Sequence, residues 1–389
     1  MLGLLVASGF SKLHPTCDIP YKFPEPLNTS EYIPEHMEIV LRHGARTPIT
    51  MWLKTEERGK WQCDADDARA SRIEVSPRKN GRRVHKIFEE RLSEYPTNCN
   101  AGDLTVEGME QHLKLGAAFR EYAINKIKLI PEYYDPRLIS ARATWYERTY
   151  RSGVSFLQGL YPVQDSNEYI DFLVGTKNRD TVHPNNKMCP DLKKLSADFF
   201  ASSTYMDVHN EVMKYAQPLY DLTGNTDKSP EGLESMCDWA ITNYCNEQKL
   251  FPIITDELIE QCRKVQAYHF YRISFFNETQ GCVGGGPIFR QLFKNYDERG
   301  EKKLDVIAAH DSVIAFVLSS LGIGGDWVMT PPYASYITME TYLKDDKTWI
   351  RFTYNGEVVN IFNRYQIMEI GEFRSAIQNV LQNCYPDLP

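Results

Sequence analysis

The chain predicts an α/β fold: a mostly parallel sheet flanked by helices, with an inserted, mainly helical cap domain. Three observations carry this. First, three short apolar runs, MEIVL (37–41), RLIS (137–140) and KLDVIAA (303–309), read as buried strands. Second, two of them lead into helical patterns, and strands alternating with helices favour a parallel sheet. Third, residues 161–299 change character, becoming rich in Tyr, Asn, Asp and Cys with helix-like patches.

The elements follow in order. The N-terminal MLGLLVASGFSKL has an apolar start and small residues but no basic region. It reads either as the remnant of a signal peptide or as the start of a truncated chain. Residues 14–36 are Pro-rich and predict an irregular surface segment. MEIVL then runs into Arg42-His43 and a loop containing Pro48. LTVEGMEQHLKLGAAFREYA (104–123) reads as an amphipathic helix, with Met109, Leu113, Gly116 and Ala117 recurring at helical spacing. RLIS runs into Ala141-Arg142, followed by the helical YERTYRSGVSFLQGLY. In the insertion, CPDLKKLSADFFAS and ELIEQCRKVQAYHFYRIS read as helices. KLDVIAA runs into His310-Asp311, and SVIAFVLSSLG follows as a helix with Gly322 at its C-cap. The chain closes with two paired strands, YASYITMETYL and WIRFTYNGEVVNIF, and a last helix, GEFRSAIQNVLQNC. Asn355-Gly356 is a strong turn signal. The expected division is an N-terminal segment (1–33), a core from 34–160 with 300–389, and a cap from 161–299.

Composition narrows the partners. The net charge of −8 disfavours a general affinity for nucleic acid or anionic membranes, which rests on excess Lys and Arg. No run reaches the ~18 apolar residues of a membrane span. The nine cysteines form no CxxC pair, so a metal clamp is not indicated. Cys237 and Cys245 are nearest in sequence and suit a disulfide better than a metal site. Two sequons, at Asn28 and Asn277, join the cysteine count in pointing to the secretory pathway: secreted, or lysosomal/vacuolar. The odd count leaves a thiol free or paired between chains.

The chemistry sits at the strand ends. Ligands of open α/β sheets bind beyond the carboxyl ends of the strands, so Arg42, His43, Arg46, Arg142, His310 and Asp311 are expected to converge. Buried like charges repel unless they share a counter-ion, and guanidinium forks suit phosphate oxygens. His43 can act as a nucleophile toward phosphorus, with Gly44 allowing close backbone approach to the anion. His310 can donate to a phosphoryl oxygen. Asp311 can supply the leaving group's proton. It can equally cap the following helix.

These residues carry a resemblance. RHGARTP resembles the RHGxRxP signature of the histidine acid phosphatases, and His310-Asp311, between strand and helix, resembles their second signature. ARATWYERTYRSGVSFLQGLYP resembles the family segment RSTxxxRTxxSAxxxxxGLxP, and PPYAS (331–335) and LTVEGMEQHLKLG also look like family segments. The resemblance implies an α/β core with a helical insertion, no metal or other cofactor, small-molecule phosphate monoesters as substrates, and often a homodimer. It implies His43 as phosphohistidine nucleophile, Asp311 as general acid, and Arg42, Arg46, Arg142 and His310 as phosphate ligands. Arg148 also matches a family arginine and reads as structural on its helix. Two departures stand out: Trp145 where the family has Asp, and Tyr336 where it often has Cys. By resemblance, Cys189 and Cys384 form a disulfide. The function expected is an acid phosphatase; a phytase, a lysophosphatidate phosphatase and a catalytically silent secreted phosphate-binding protein are the alternatives.

Overall fold

The computed structural model describes residues 16–50, 52, 61–63, 73–74, 84–85, 99–162, 170–177, 180–183, 191–246, 253–274, 278–323 and 330–382. Asn277, Cys189, Cys384 and the N-terminal MLGLLVASGFSKL lie outside them.

The chain opens with β1 (Ile33–Arg42), and a small ribbon follows, β2 (Ile73–Glu74) with β3 (Val84–His85). Next is α1 (Val106–Arg120), capped by the Thr105 hydroxyl and prolonged by a π-type stretch at Glu121–Lys126. β4 (Ile139–Ala143), α2 (Glu147–Leu160) and β5 (Leu173–Val174) follow. A run of helices then intervenes: α3 (Asp191–Phe200), α4 (Ser203–Thr223), α5 (Pro230–Cys245), α6 (Asp256–Ser274) and α7 (Glu278–Asp297). β6 (Leu304–Ala309) leads straight into α8 (Asp311–Ser320). The hairpin β7 (Tyr336–Lys344) and β8 (Lys347–Tyr354), short β9 (Glu357–Val358) and β10 (Met368–Glu369), and α9 (Ile370–Gln382) complete the chain.

Among the described residues the main sheet runs β10-β8-β7-β1-β6-β4-β5, with β9 on β8. Its core is parallel: β1 with β6, β6 with β4, and β4 with β5. β7, β8 and β10 add an antiparallel flank. The predicted α/β class therefore holds, as a mixed sheet with a parallel centre.

Both faces are covered, which is why β1 and β6 read as continuous apolar runs rather than as alternation. Ile39, Leu41, Ile139, Ala141 and Val306 pack under α1 and α2 with Leu115, Phe119 and Phe156. Val40, Ile307, Ile337 and Phe352 pack on the other face with Phe289 of α7, Val313 of α8 and Phe373 of α9. α1 and α2 cross closely: an added Cβ at Gly116 would stand 2.1 Å from the Phe156 carbonyl oxygen.

Three expectations need correction. The buried face of α1 is Met109, His112, Leu115, Gly116 and Phe119, whereas Leu113 is 36% exposed. The N-terminal segment does more than skirt the surface, since Phe23 packs against Phe119, Tyr122 and the buried Tyr336. Cys237 and Cys245 do not pair with each other. Eight residues along one helix span about 12 Å, beyond the ~7 Å reach of a disulfide. Instead Cys17 pairs with Cys245, Cys237 with Cys262, and Cys63 with Cys99. The Asn355-Gly356 turn forms, with φ of 47° and 85°, but joins β8 to β9. The β7–β8 hairpin turns instead at Asp345-Asp346, also at positive φ.

Candidate active site

The register of the parallel core fixes the site. Arg42 lies opposite Ala309, and Ala143 lies opposite Ala308. Their chain continuations, His43, Thr144 and His310, therefore leave the sheet at one level. His43 keeps contact with β6 through its backbone N–H to the Ala309 carbonyl, 3.2 Å. The PPYAS segment supports β1 from the other side. Ser335 accepts the Arg42 backbone N–H at 2.8 Å, and Ala334 donates to the His43 carbonyl at 3.1 Å.

Beyond these ends lies a cavity of about 330 Å³. Its floor holds His43, His310 and Asp311; Arg46 and Arg148 stand at its side, and α5 supplies a wall with Asp238. His43 is 2% exposed. Its Nδ1 lies 2.9 Å from the Gly44 carbonyl. A carbonyl can only accept, so Nδ1 carries the hydrogen and Nε2 keeps its lone pair. Burial, and then the charges of Arg148, Arg42, Arg46 and His310, push the His43 pKa well below its ordinary value. The imidazole stays neutral into the acid range.

The tautomer of His310 follows from a hydroxyl chain. Thr149 Oγ1 donates to the Tyr146 carbonyl at 2.7 Å. Thr144 Oγ1, 2.8 Å from Thr149 Oγ1, must then donate to it. His310 Nε2, 2.9 Å from Thr144 Oγ1, is left as a donor. Nε2 is thus committed, and Nδ1 remains for the cavity. Burial, His183 and the arginines hold the His310 pKa well below its ordinary value.

Asp311 faces the cavity from the first turn of α8. It accepts the Ser312 N–H at 2.9 Å and pairs with Arg42 at 2.8 Å. Burial alone would raise its pKa, but Arg42, Arg46, the Ser312 N–H and Arg148 outweigh burial and hold it below the ordinary carboxylate value. These neighbours favour the ionised carboxylate at Asp311. The helix-cap position itself belongs to His310.

The arginines have different surroundings. Arg42 lies under the cavity, over the Tyr333 ring at 4.4 Å, and donates to the Pro331 carbonyl. Arg46 makes a two-point pair with Asp238, at 2.6 and 3.2 Å. Arg148 has no ion pair and donates no hydrogen bond among the described residues; its guanidinium stacks over Tyr146 at 4.5 Å. Burial, and then Arg46, lower its pKa to about 10. Such a cation is short of a counter-ion.

Arg142 is not among the cavity's lining residues. It donates to Gln291 at 2.5 Å and to Thr181 at 3.3 Å, and lies 3.9 Å from Asp180. Strand parity explains this: Ile139 and Ala141 face α1 and α2, so Ser140 and Arg142 face α7. His43, Arg46, His310 and Asp311 thus line one cavity, Arg42 meets them through its pair with Asp311 rather than as a lining residue, and Arg148 stands where Arg142 was expected. Gly44 is also recast. Its N–H donates to Ser152 Oγ at 3.1 Å, and an added Cβ would lie 2.3 Å from the Gly108 carbonyl oxygen. The close approach it allows is to the first turn of α1, rather than to an anion.

Residues 35–355 match the family described as the histidine phosphatase superfamily, branch 2. The chain belongs to that superfamily. This histidine phosphatase is 23% identical to counting factor 60 of Dictyostelium discoideum, across 100% of this chain and 95% of the relative. It is 23% identical to the lysophosphatidic acid phosphatase type 6 of Bos taurus, across 82% and 77% respectively. A probable acid phosphatase of Dictyostelium discoideum is 25% identical over 84% of this chain and 69% of its own. Among solved structures, the Citrobacter braakii phytase superposes with a TM-score of 0.61 over 89% of this chain and 98% of its own, at 14% identity. That last likeness speaks for the fold alone. Family and relatives together support phosphatase activity as the general chemistry.

Of the charged residues in this histidine phosphatase's cavity, sequence reasoning gave Arg148 only a structural role and did not find Asp238. Arg148 was within reach, because alternation along RLISARA puts Arg142 on the α7 face. Asp238 had no local signal, since it meets Arg46 from a helix far along the chain.

Proposed function

We propose that the protein is a phosphomonoesterase that works through a phosphohistidine at His43, with Asp311 as proton donor and acceptor. One observation carries this: a buried, neutral imidazole, its Nδ1 committed to Gly44, in a cavity that also holds Asp311 and a cation lacking a counter-ion. The phosphoryl group docks on Arg42, Arg46 and Arg148, which spread their charge over its oxygens. Arg148 takes the place first expected of Arg142. Nε2 of His43 attacks phosphorus, a P–N bond forms, and the P–O bond to the alcohol breaks. Asp311 gives its proton to the leaving oxygen. Water then attacks the phosphohistidine, Asp311 takes its proton back, and inorganic phosphate leaves.

The protonation of Asp311 is supplied by binding. Among the protein groups alone, the arginines outweigh burial at Asp311. A docked phosphate dianion offsets those charges, burial then dominates, and the carboxyl rises toward protonation. His310 donates through Nδ1 once the anion favours its imidazolium form. A small ester suits the cavity, with the helices between 161 and 299 as cap. The three disulfides, the exposed Asn28 sequon and the acid-phosphatase relatives favour a secreted or lysosomal/vacuolar site of action.

The test is chemical trapping. Rapid quenching during turnover of 32P-labelled ester should leave an acid-labile, base-stable phosphoenzyme. His43→Ala should show neither label nor turnover of p-nitrophenyl phosphate. Substantial turnover by that variant would remove His43 as nucleophile.

A further inference from the structure

His310 is held from two sides by segments that share one anchor. The Thr144 hydroxyl takes its Nε2–H. The His183 ring packs edge-on against the imidazole, with centroids 4.5 Å apart. Thr144 follows the end of β4, and His183 ends the short segment 180–183. Asp180 ties the two together. Among the described residues its carboxylate accepts three backbone N–H groups. Oδ1 takes Val182 at 2.9 Å and His183 at 3.2 Å, and Oδ2 takes Trp145, the residue after Thr144, at 3.2 Å. The Asp180 side chain is 2% exposed, and Arg142 stands 3.9 Å away as its counter-charge. The fit is close, since an added Cβ at Gly175 would lie 2.6 Å from Oδ2. Burying a carboxylate is costly, and one that joins several amides by charge-assisted bonds holds them firmly in place.

We infer that Asp180 is a positioning residue for phosphoryl transfer, acting through His310. The inference rests on the phosphatase reading above. Asp180 is not among the cavity's lining residues. It acts on the backbone at Trp145 and at 182–183, and so sets both the hydroxyl that commits Nε2 and the ring that packs on the imidazole. With Nε2 committed, Nδ1 is aimed at the phosphoryl oxygen. Without Asp180 the two supports separate, the ring turns, and the donor leaves the oxygen. Arg142 gains a role as well, as the counter-charge of this anchor. Its own hydrogen bonds go to Gln291 and Thr181, and the three amide contacts of Asp180 do not pass through it. Losing Arg142 is therefore felt far less at His310 than losing Asp180. A plain loop anchor would show the same hydrogen bonds, but its loss would not be coupled to His310.

The experiment is a double-mutant cycle on kcat/KM for p-nitrophenyl phosphate, with Asp180→Asn, His310→Ala and the two combined. Asn keeps the size of the side chain and one of its acceptors. Asp180→Asn should lower kcat/KM by roughly 10- to 100-fold, the scale of a misplaced catalytic donor. In the His310→Ala background the same change should cost less than about threefold, because residues that act through one another are not additive. Thr144→Val should couple to Asp180→Asn in the same way. Gly175→Ala carries a second cycle in case Asp180→Asn folds poorly: it presses on Oδ2 and removes no hydrogen-bonding group. Its loss should likewise vanish in the His310→Ala background. Unchanged kcat/KM in Asp180→Asn, or losses that simply multiply in the double variant, would overturn the assignment. A wild-type protein that fails to hydrolyse p-nitrophenyl phosphate would instead overturn the phosphatase reading beneath it.

Discussion

Arg148 offers the sharpest test, because activity and stability should move in opposite directions. Replace it with Met, which keeps the length of the stem and removes the charge. In the free protein Arg148 has no ion pair among the described residues, and burial beside Arg46 lowers its pKa from the ordinary arginine value to about 10. At roughly 1.4 kcal/mol per unit, holding that charge in place costs about 3 kcal/mol before screening. The side chain is only partly covered, so about 1–2 kcal/mol is a fairer figure. That cost is fully present at any pH below the folded pKa. Removing the charge should therefore leave the fold as stable or raise Tm by about 1–3 °C. Catalysis should lose a donor aimed at the transferring phosphoryl group, worth on the order of 10²–10³ in kcat/KM. Arg142→Met is the control. Its bonds to Gln291 and Thr181 are lost, which should cost about 1–2 kcal/mol of stability while kcat/KM stays within a few-fold. Differential scanning calorimetry and p-nitrophenyl phosphate kinetics on both variants decide the matter. An Arg148 variant that is less stable yet fully active would refute the reasoning, as would an inactive, stable Arg142 variant.

Three further outcomes are expected. Asp311→Asn should slow alkyl phosphates, which need a proton at the leaving oxygen, far more than aryl phosphates; equal losses on both series would leave Asp311 only a structural partner of Arg42. Acid should destabilise the unliganded protein, because His43, His112, His183 and His310 have folded pKa values below 6.5, about 4 for His112. Their contribution is complete above about pH 6.5 and fades as pH falls toward the folded values, so Tm should drop from pH 7 to pH 5, and inorganic phosphate should restore more of it at pH 5. A flat Tm profile would contradict this. Gly44→Ala should cost about 1–3 kcal/mol through the contact with Gly108 and also lower kcat by displacing His43; an unperturbed, fully active variant would show that the loop and α1 separate freely.

Legibility differed along the chain for physical reasons. The three central strands were readable because burial on both faces leaves uninterrupted apolar runs, and their ends were readable because charge is costly there without a purpose. What failed was orientation. Arg142 lies within β4 and Arg148 five residues beyond its end in α2, and the two-residue alternation of β4 sends the first toward α7. The face of α1 was misjudged because Gly108, Gln111 and His112 are buried without being apolar: each meets the loop after β1 or a neighbouring segment. Cys237 and Cys245 looked adjacent until a helix drew them apart. Asp238 could not be found at all, because pairing with Arg46 is decided by where the inserted helices rest, and no local spacing encodes that.

α5 has a consequence of its own. Disulfides fasten it at Cys237 to α6 and at its last residue, Cys245, to Cys17. Asp238 sits beside the first of these, so its place opposite Arg46 is anchored covalently. Glu231, Glu234 and Ser235 lie one to two turns earlier on the same rod. The two ends of α5 are therefore held differently: the end that meets Arg46 is tied covalently to α6 and to Cys17, while the end at Glu231 reaches the cavity with no disulfide of its own among the described residues.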